Sequence, residues 1–203
     1  MPAMLPPFSA LGASLAPPAG DYRFIAIDVE TASSRPGSIC QIGLACVRHD
    51  HQIEGFSMLV NPQGSFDAFN TRLHGIGPEH VENAPGFGEA MLLLLPLLSR
   101  HILIQHSDFD RRAFHGGCDI LGLPHPPWQW LNSVTIARKA WPEFSGNGGH
   151  GLGHLKQALS LDFTHHDAGE DARAAALVVL AAEARLGATF DIIAAGKAPR
   201  RLG

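Results

Sequence analysis

Several features that mark large protein classes are scarce or missing here, and each absence excludes something. There are three cysteines, Cys40, Cys46 and Cys118, odd in number, widely spaced and in no metal-type pair. That excludes a disulfide framework and a cysteine-built zinc site, and fits structural thiols in a reducing cytoplasm. No apolar run approaches the roughly 18 residues that a membrane span needs. The nearest, Met91 to Leu98, is short and interrupted by Pro96. Charge is sparse at 17% of residues, with a net value of −4. A protein that coats long stretches of nucleic acid through phosphate contacts needs a basic balance, so the charge argues against that class. An enzyme that grips only a chain end is not excluded, particularly if metal ions reverse the local charge. No basic segment precedes an apolar core near Met1, so a signal peptide is not expected. No glycine-rich stretch carries the Lys-Ser/Thr of a P-loop, so nucleoside triphosphate binding is not supported.

What is present is a globular chain. Its 203 residues are 45% apolar, enough for one domain with a full core. Residues 1–20 hold five prolines among alanine, serine and glycine and read as a flexible arm. Residues 21–190 read as the domain and 191–203 as a C-terminal tail. Strands are expected over Tyr22 to Val29, Ile39 to Val47 and Gln52 to Val60, with Arg48 to His51 as the polar turn between the last two. A loop opened by Asn61-Pro62-Gln63-Gly64 carries Phe66, Asn70, His74, Gly75 and Ile76. One helical turn follows at Pro78 to Val81, then a helix from Phe87 to Ser99. Ile102 to Ile104 is a buried strand. Phe109 to Leu121 is a helix weakened by Gly116-Gly117, and a further helix carries Ile136, Ala137 and Ala140. Short and long helices end the series at Leu152 to Leu159 and Asp167 to Leu186. Three strands and then alternating strand and helix imply an α/β sandwich around a mixed sheet.

The stretch Phe24-Ile25-Ala26-Ile27-Asp28-Val29-Glu30-Thr31 organises the chain. Four apolar residues read as a strand buried on both faces. Alternation puts Asp28 and Glu30 on one side of it. Two such acids need a shared proton or a bound cation, unless the strand has already ended and both are solvated. Asp110 lies three and four residues before Ala113 and Phe114, on their apolar helical face or at its edge. In the last helix Asp167 can cap the N-terminus, with Glu170 closing a capping box. Asp171 falls in register with Ala175 and Val178 on the packed side, and leans back toward His166. A carboxylate there costs several kcal/mol unless paired or bound to metal. If these elements pack on one sheet, Asp28, Glu30, Asp110 and Asp171 can converge. Four hard oxygen ligands suit Mg²⁺ or Mn²⁺ and not zinc. Two such ions would clamp a phosphoryl transfer, and His166 is a candidate general base.

Together these residues resemble the DEDDh 3′→5′ exonucleases, the DnaQ-like family that includes the proofreading epsilon subunit of DNA polymerase III, RNase T and oligoribonuclease. The first motif is Asp28-Val29-Glu30-Thr31. The second is His106-Ser107-Asp108-Phe109-Asp110, and the third His166-Asp167-Ala168-Gly169-Glu170-Asp171. His74-Gly75-Ile76 and Val134-Thr135-Ile136-Ala137-Arg138 resemble further family segments. The resemblance implies a ribonuclease H-like fold with a mixed five-stranded sheet flanked by helices. It implies that Asp28, Glu30, Asp110 and Asp171 bind two divalent cations, Mg²⁺ or Mn²⁺. It implies that His166, with Glu30, is catalytic, and that nucleoside 5′-monophosphates leave from a single-stranded DNA or RNA 3′ end. Thr31, Phe66 and His74 are the implied contacts to the terminal nucleotide. A DNA polymerase subunit is a candidate partner, with no membrane; oligomeric state stays open, and the compartment expected is the cytoplasm.

The chain departs from the family pattern at three places. Gln105-His106 stands where His-Asn is usual, Asn132-Ser133 where Asp-Thr is common, and Gln41 where the second strand usually has an acid. Neither of the first two is a metal ligand, so altered end-nucleotide contacts or packing are expected there and not loss of chemistry, and Gln41 is expected to be tolerated. His150 and His154 have the spacing of helical zinc ligands, but the two glycines between them favour a mobile loop beside the active site. Spacing to Asp171 selects His166 over His165. Lys197, Arg200 and Arg201 form a small basic tail, read as solvated by default, with contact to a nucleic-acid backbone as the alternative. Two other functions remain in view. One is a phosphodiesterase for short oligonucleotides or modified ends, since substrate is set by loops. The other is a non-catalytic, polymerase-associated module, which predicts a lost ligand where none is lost.

Overall fold

The structure, a computed structural model, describes residues 16–161 and 167–197. It forms five strands, β1 (Phe24–Thr31), β2 (Ile39–Val47), β3 (Ile53–Leu59), β4 (Leu103–Gln105) and β5 (Trp130–Asn132). They make one mixed sheet in the order β3-β2-β1-β4-β5. β1 to β3 are antiparallel neighbours, while β4 and β5 run parallel to β1. The carboxyl ends of β1, β4 and β5 therefore share one edge of the sheet. The first strand runs two residues past Val29, so Glu30 lies within it and not in a loop. The reading in which the strand has ended and both acids are solvated is thereby corrected: β2 continues opposite, pairing Glu30 with Gln41, and holds the chain extended.

Helices cover both faces. On one side α3 (Phe87–Leu98) and α4 (Phe109–Leu121) pack on Ile25, Ile27, Ile42 and Leu44. On the other, α5 (Ser133–Ala140), α6 (Leu152–Ala158), α7 (Ala168–Leu186) and α8 (Phe190–Ala194) cover Phe24, Ala26, Ala45 and Val47. Residues 24 to 27 thus feed both cores by strict alternation, which is why the run is apolar throughout. Two short helices, α1 (Ala68–His74) and α2 (Pro78–Val81), close the end near Thr31. A loop was expected over α1. The helix escapes the pattern because it buries no residue: Phe69 is 67% exposed and Leu73 also faces outward. Gly75, at φ 77°, ends it in the left-handed conformation glycine tolerates. No helix among the described residues is long and apolar enough to cross a membrane.

Two close approaches explain glycines inside regular elements. A Cβ on Gly116 would sit 2.7 Å from the Pro36 backbone, and one on Gly117 2.5 Å from the Phe87 ring. The pair that should weaken α4 instead lets the β1–β2 turn and α3 lie flat on it. Gly43, in the middle of β2, faces α7, where a Cβ would fall 2.1 Å from the Ala168 carbonyl. Gly43→Ala should therefore destabilise the protein by about 1–3 kcal/mol through overpacking, read as a lower urea midpoint. An unchanged midpoint would show that α7 rides up freely.

Candidate active site

Asp28 and Glu30 project from β1 toward the α7 face of the sheet, in line with Phe24 and Ala26. Asp171, in the first turn of α7, projects back to meet them. Carboxylate oxygens of the three residues lie within 4.8 Å of one another. Glu30 and Asp171 keep 9% and 8% of their surface exposed, and Asp28 is half-buried. Asp110 arrives from the opposite face, at the start of α4, and is 2% exposed. It lies outside that group of three. Its Oδ1 accepts from the Val29 N–H at 3.1 Å. β4 is three residues long and stops short of Val29, so Asp110 takes the place of the missing strand on that side of β1.

The charges are held against their preference. Burial raises the Asp28 carboxyl well above its usual range, and Asp110, Asp171 and Glu30 add to it. Burial, followed by Asp171 and Asp110, pushes Glu30 up to about 8. Asp110 rises to about 7 through burial, opposed by the N–H of Val29 and its own N–H, with Asp171 raising it further. Among the described residues, the side-chain charges that raise Asp28, Glu30 and Asp110 belong to other acids, and none of the three pairs with a Lys or Arg. Hard oxygen donors crowded together in this way fit a divalent cation.

The three departures from the family pattern turn out to hold the site's frame. Gln41 sits across from Glu30 on β2, buried under the start of α7. Its amide nitrogen donates to Ser57 Oγ at 3.1 Å and to Asp167 Oδ2 at 3.2 Å, and its oxygen accepts from the Ala168 N–H at 3.1 Å. Asp167 in turn caps α7, accepting from the Gly169 and Glu170 N–H groups. Gln105 does the same for α4: its nitrogen donates to Asp108 and its oxygen accepts from the Arg111 N–H. His106 places Nδ1 2.8 Å from Ser133 Oγ and Nε2 3.1 Å from the His150 carbonyl. His150 itself is buried, its Nε2 donating to the Trp141 carbonyl. The sequence reading passed over Gln41 and Gly43 as positioning residues. An isolated glycine inside an apolar strand was the available signal, since it marks a close backbone approach.

The expected nucleotide contacts fall around the end of β1. Thr31 is buried; its carbonyl accepts from Asn70 Nδ2 at 2.9 Å and faces His74 Nε2 at 3.1 Å. His74 Nδ1 accepts from the Ile76 N–H, so both ring nitrogens brace backbone. Phe66 packs against the small cluster of Ala32, Cys40, Ile76 and Val81. Exposed rings nearby are Phe69 on α1 and Phe109 beside Asp110, neither expected from sequence as a nucleotide contact. His166 lies outside the described residues, one position before the α7 cap.

A family model described as an exonuclease, RNase_T, matches residues 25–179. The chain belongs to the DEDDh exonuclease family. It is similar to the 3′-5′ exonuclease DinG of Bacillus subtilis, 30% identical over 163 residues, which cover 78% of this chain and 17% of that protein. It is also similar to the PolC-type DNA polymerase III of Streptococcus sanguinis, 28% identical over 149 residues, 72% of this chain and 10% of the polymerase. The exonuclease domain thus spans under a fifth of the length of either relative. Among solved structures it resembles exonuclease X in complex with 5′ overhanging duplex DNA, at a TM-score of 0.66 and 23% identity, covering 85% of this chain and 98% of that one. The fold is ribonuclease H-like, as the sequence resemblance implied.

Raised carboxyl values have a definite consequence for stability. In the unfolded chain these acids ionise above their usual values of 3.8 and 4.5, whereas the fold keeps Asp110 protonated up to about 7 and Glu30 to about 8. Their contribution to stability is therefore intact below the unfolded values and is lost as pH rises through that window. Without metal, the melting temperature should fall between pH 5 and 8 by more than in Asp28→Asn, which relieves the repulsion. Mn²⁺ should restore it increasingly toward pH 8 in the wild type and not in the variant. A metal-induced gain independent of pH, or retained in Asp28→Asn, would count against this cluster as the cation site.

Proposed function

We propose that the domain hydrolyses the last phosphodiester bond of a single-stranded nucleic acid from its 3′ end. The observation that carries this is the convergence of Asp28, Glu30 and Asp171 within 4.8 Å at the carboxyl edge of the sheet, in a chain of the exonuclease family. The direction of attack is supported by the relative named a 3′-5′ exonuclease and by the fold neighbour bound to duplex DNA whose 5′ overhang leaves a recessed 3′ end. The PolC-type relative makes a polymerase a candidate partner, in the same chain or in another.

Asp28, Glu30 and Asp171, with Asp110 behind them, would hold two divalent cations, Mg²⁺ or Mn²⁺. When bound, such ions neutralise the phosphate and increase the acidity of water. His166 takes a proton from the attacking water. The new bond is from that oxygen to phosphorus, and the bond that breaks joins phosphorus to the 3′ oxygen of the preceding nucleotide. That oxygen leaves as a hydroxyl after taking up a proton, so a nucleoside 5′-monophosphate and a shortened chain result. Thr31 and the α1 segment from Phe66 to His74 border the space where the terminal nucleotide would lie. The exposed Phe69 ring offers a stacking surface that tolerates any base.

Time-resolved digestion of 5′-labelled single-stranded DNA and RNA, with Mg²⁺ or Mn²⁺, tests the reading. Stepwise shortening from the 3′ end is expected, with at least a hundredfold loss in Asp28→Ala and His166→Ala. Folded protein that binds Mn²⁺ and degrades neither polymer would sink it, and would direct attention to short or modified oligonucleotides.

A further inference from the structure

A cavity beside the acid cluster opens at the same carboxyl edge of the sheet and takes no part in the chemistry above. It has a volume of about 430 Å³ and is lined by His106, Ser107, Asn132, Thr135, Arg138 and Gly151, among others. Its floor is the end of the sheet, where Asn132 of β5 pairs in register with Gln105 of β4. One wall is α5, which carries Thr135 and Arg138 three residues apart on one face. The other is the glycine-rich segment ending at His150 and Gly151, pinned by the bonds from His150 to Trp141 and from His106 to the His150 carbonyl.

The polar groups in this cavity favour an anion. Arg138 is exposed and has no hydrogen-bond or ion-pair partner among the described residues. Its planar guanidinium suits two phosphate oxygens at once. Asn132 accepts from the Val134 N–H through Oδ1, so its amide nitrogen remains a donor. An aspartate, common in the family at this position, would cap α5 equally well but would bring a negative charge instead. Asp108, the one acid among the described residues that line it, is already engaged, accepting from Gln105 Nε2 at 3.2 Å and lying 3.6 Å from Arg111. The Thr135 hydroxyl adds a further donor. β5 lies two strands from β1, roughly 10 Å at ordinary strand spacing. A short single strand whose end sits at the acids covers that distance.

We propose that this cavity is a subsite for a backbone phosphate on the 5′ side of the bond that is cut, with Arg138 as its principal contact. The proposal rests on the exonuclease reading above and extends it from the terminal nucleotide to the strand behind it. It predicts a dependence on substrate length that the acid cluster by itself does not produce.

The test compares wild type, Arg138→Ala, Arg138→Lys, Asn132→Asp and a control, Arg100→Ala, whose residue is exposed and bonded to the Pro96 carbonyl away from this cavity. Binding of a labelled thymidine tetranucleotide and of thymidine 5′-monophosphate is read by anisotropy and competition across a salt series. Hydrolysis is read on the tetranucleotide and on the p-nitrophenyl ester of thymidine 5′-monophosphate. Arg138→Ala is expected to weaken the tetranucleotide about tenfold more than the monophosphate, as loss of a charged hydrogen bond would. The slope of log K against log salt should fall by about 0.7, one phosphate contact on a single strand. Lysine should recover part of the loss. Asn132→Asp, which keeps the cap and the arginine, should show the same length-dependent loss. Equal effects on both ligands, no effect on either, or no tetranucleotide binding by wild type would overturn the subsite. If wild type cleaves while Arg138→Ala behaves like the control, the subsite falls and the exonuclease reading stands. If the binding pattern holds but wild type cleaves neither substrate, the subsite stands and the exonuclease reading falls.

Discussion

Mutual repulsion among carboxylates is the constraint on which the rest of this structure depends. Asp28, Glu30 and Asp171 bring oxygens within 4.8 Å of one another, and each ionised pair at that distance costs roughly 3 kcal/mol at an effective dielectric near 20. Such a cluster persists only where the surrounding elements leave its members nowhere else to go. Asp28 and Glu30 are fixed by a strand paired with β2 along its whole length. Asp171 is fixed by a nineteen-residue helix whose alanine- and valine-rich face packs on that sheet. Asp110 is fixed by the backbone N–H it satisfies. The repulsion is stored by the fold, and a divalent cation placed among the acids would relieve it.

The second level of organisation is how α7 is brought down on the sheet. Gly43 removes the side chain that would hold the helix away, and Gln41 ties down its start with two hydrogen bonds, to the capping Asp167 and from the Ala168 N–H. The cross-strand partners of these two residues are Asp28 and Glu30 themselves. The same two positions on β2 therefore set both the height and the register of α7 over the acids. A neutral amide at 41 serves better here than a carboxylate would. It faces Asp167 and lies across from Glu30, where a further carboxylate would add to the repulsion.

Topology decides where the site opens. β1 is flanked by an antiparallel neighbour on one side and a parallel one on the other, and the chain leaves it in one direction and later returns on the other. Crevices in α/β sheets form at the carboxyl ends of strands where the connections diverge in this way. The acids, the Thr31 region and the cavity beside Arg138 all lie along that edge. A strand of nucleic acid laid along it would meet them in turn.

The sequence by itself determined the strand that carries Asp28 and Glu30, the mixed sheet, both long helices and the four acids. Those features follow from local patterns: apolar runs broken by carboxylates, and acids in helical register with alanine, valine and phenylalanine. Asp171 was legible because a charge on such a face needs a reason. Tertiary structure alone decided the rest. α1 was hidden because a helix that buries nothing leaves no periodic trace. Gln105, Gln41 and Ser133 read as substitutions in a pattern, and only the packed sheet showed that each holds a helix start or a loop. Asp110 shared its helical face with core residues in the sequence, but its bond to Val29 exists only because β4 stops short. Contacts of that kind join residues 81 and more positions apart, and no local spacing encodes them.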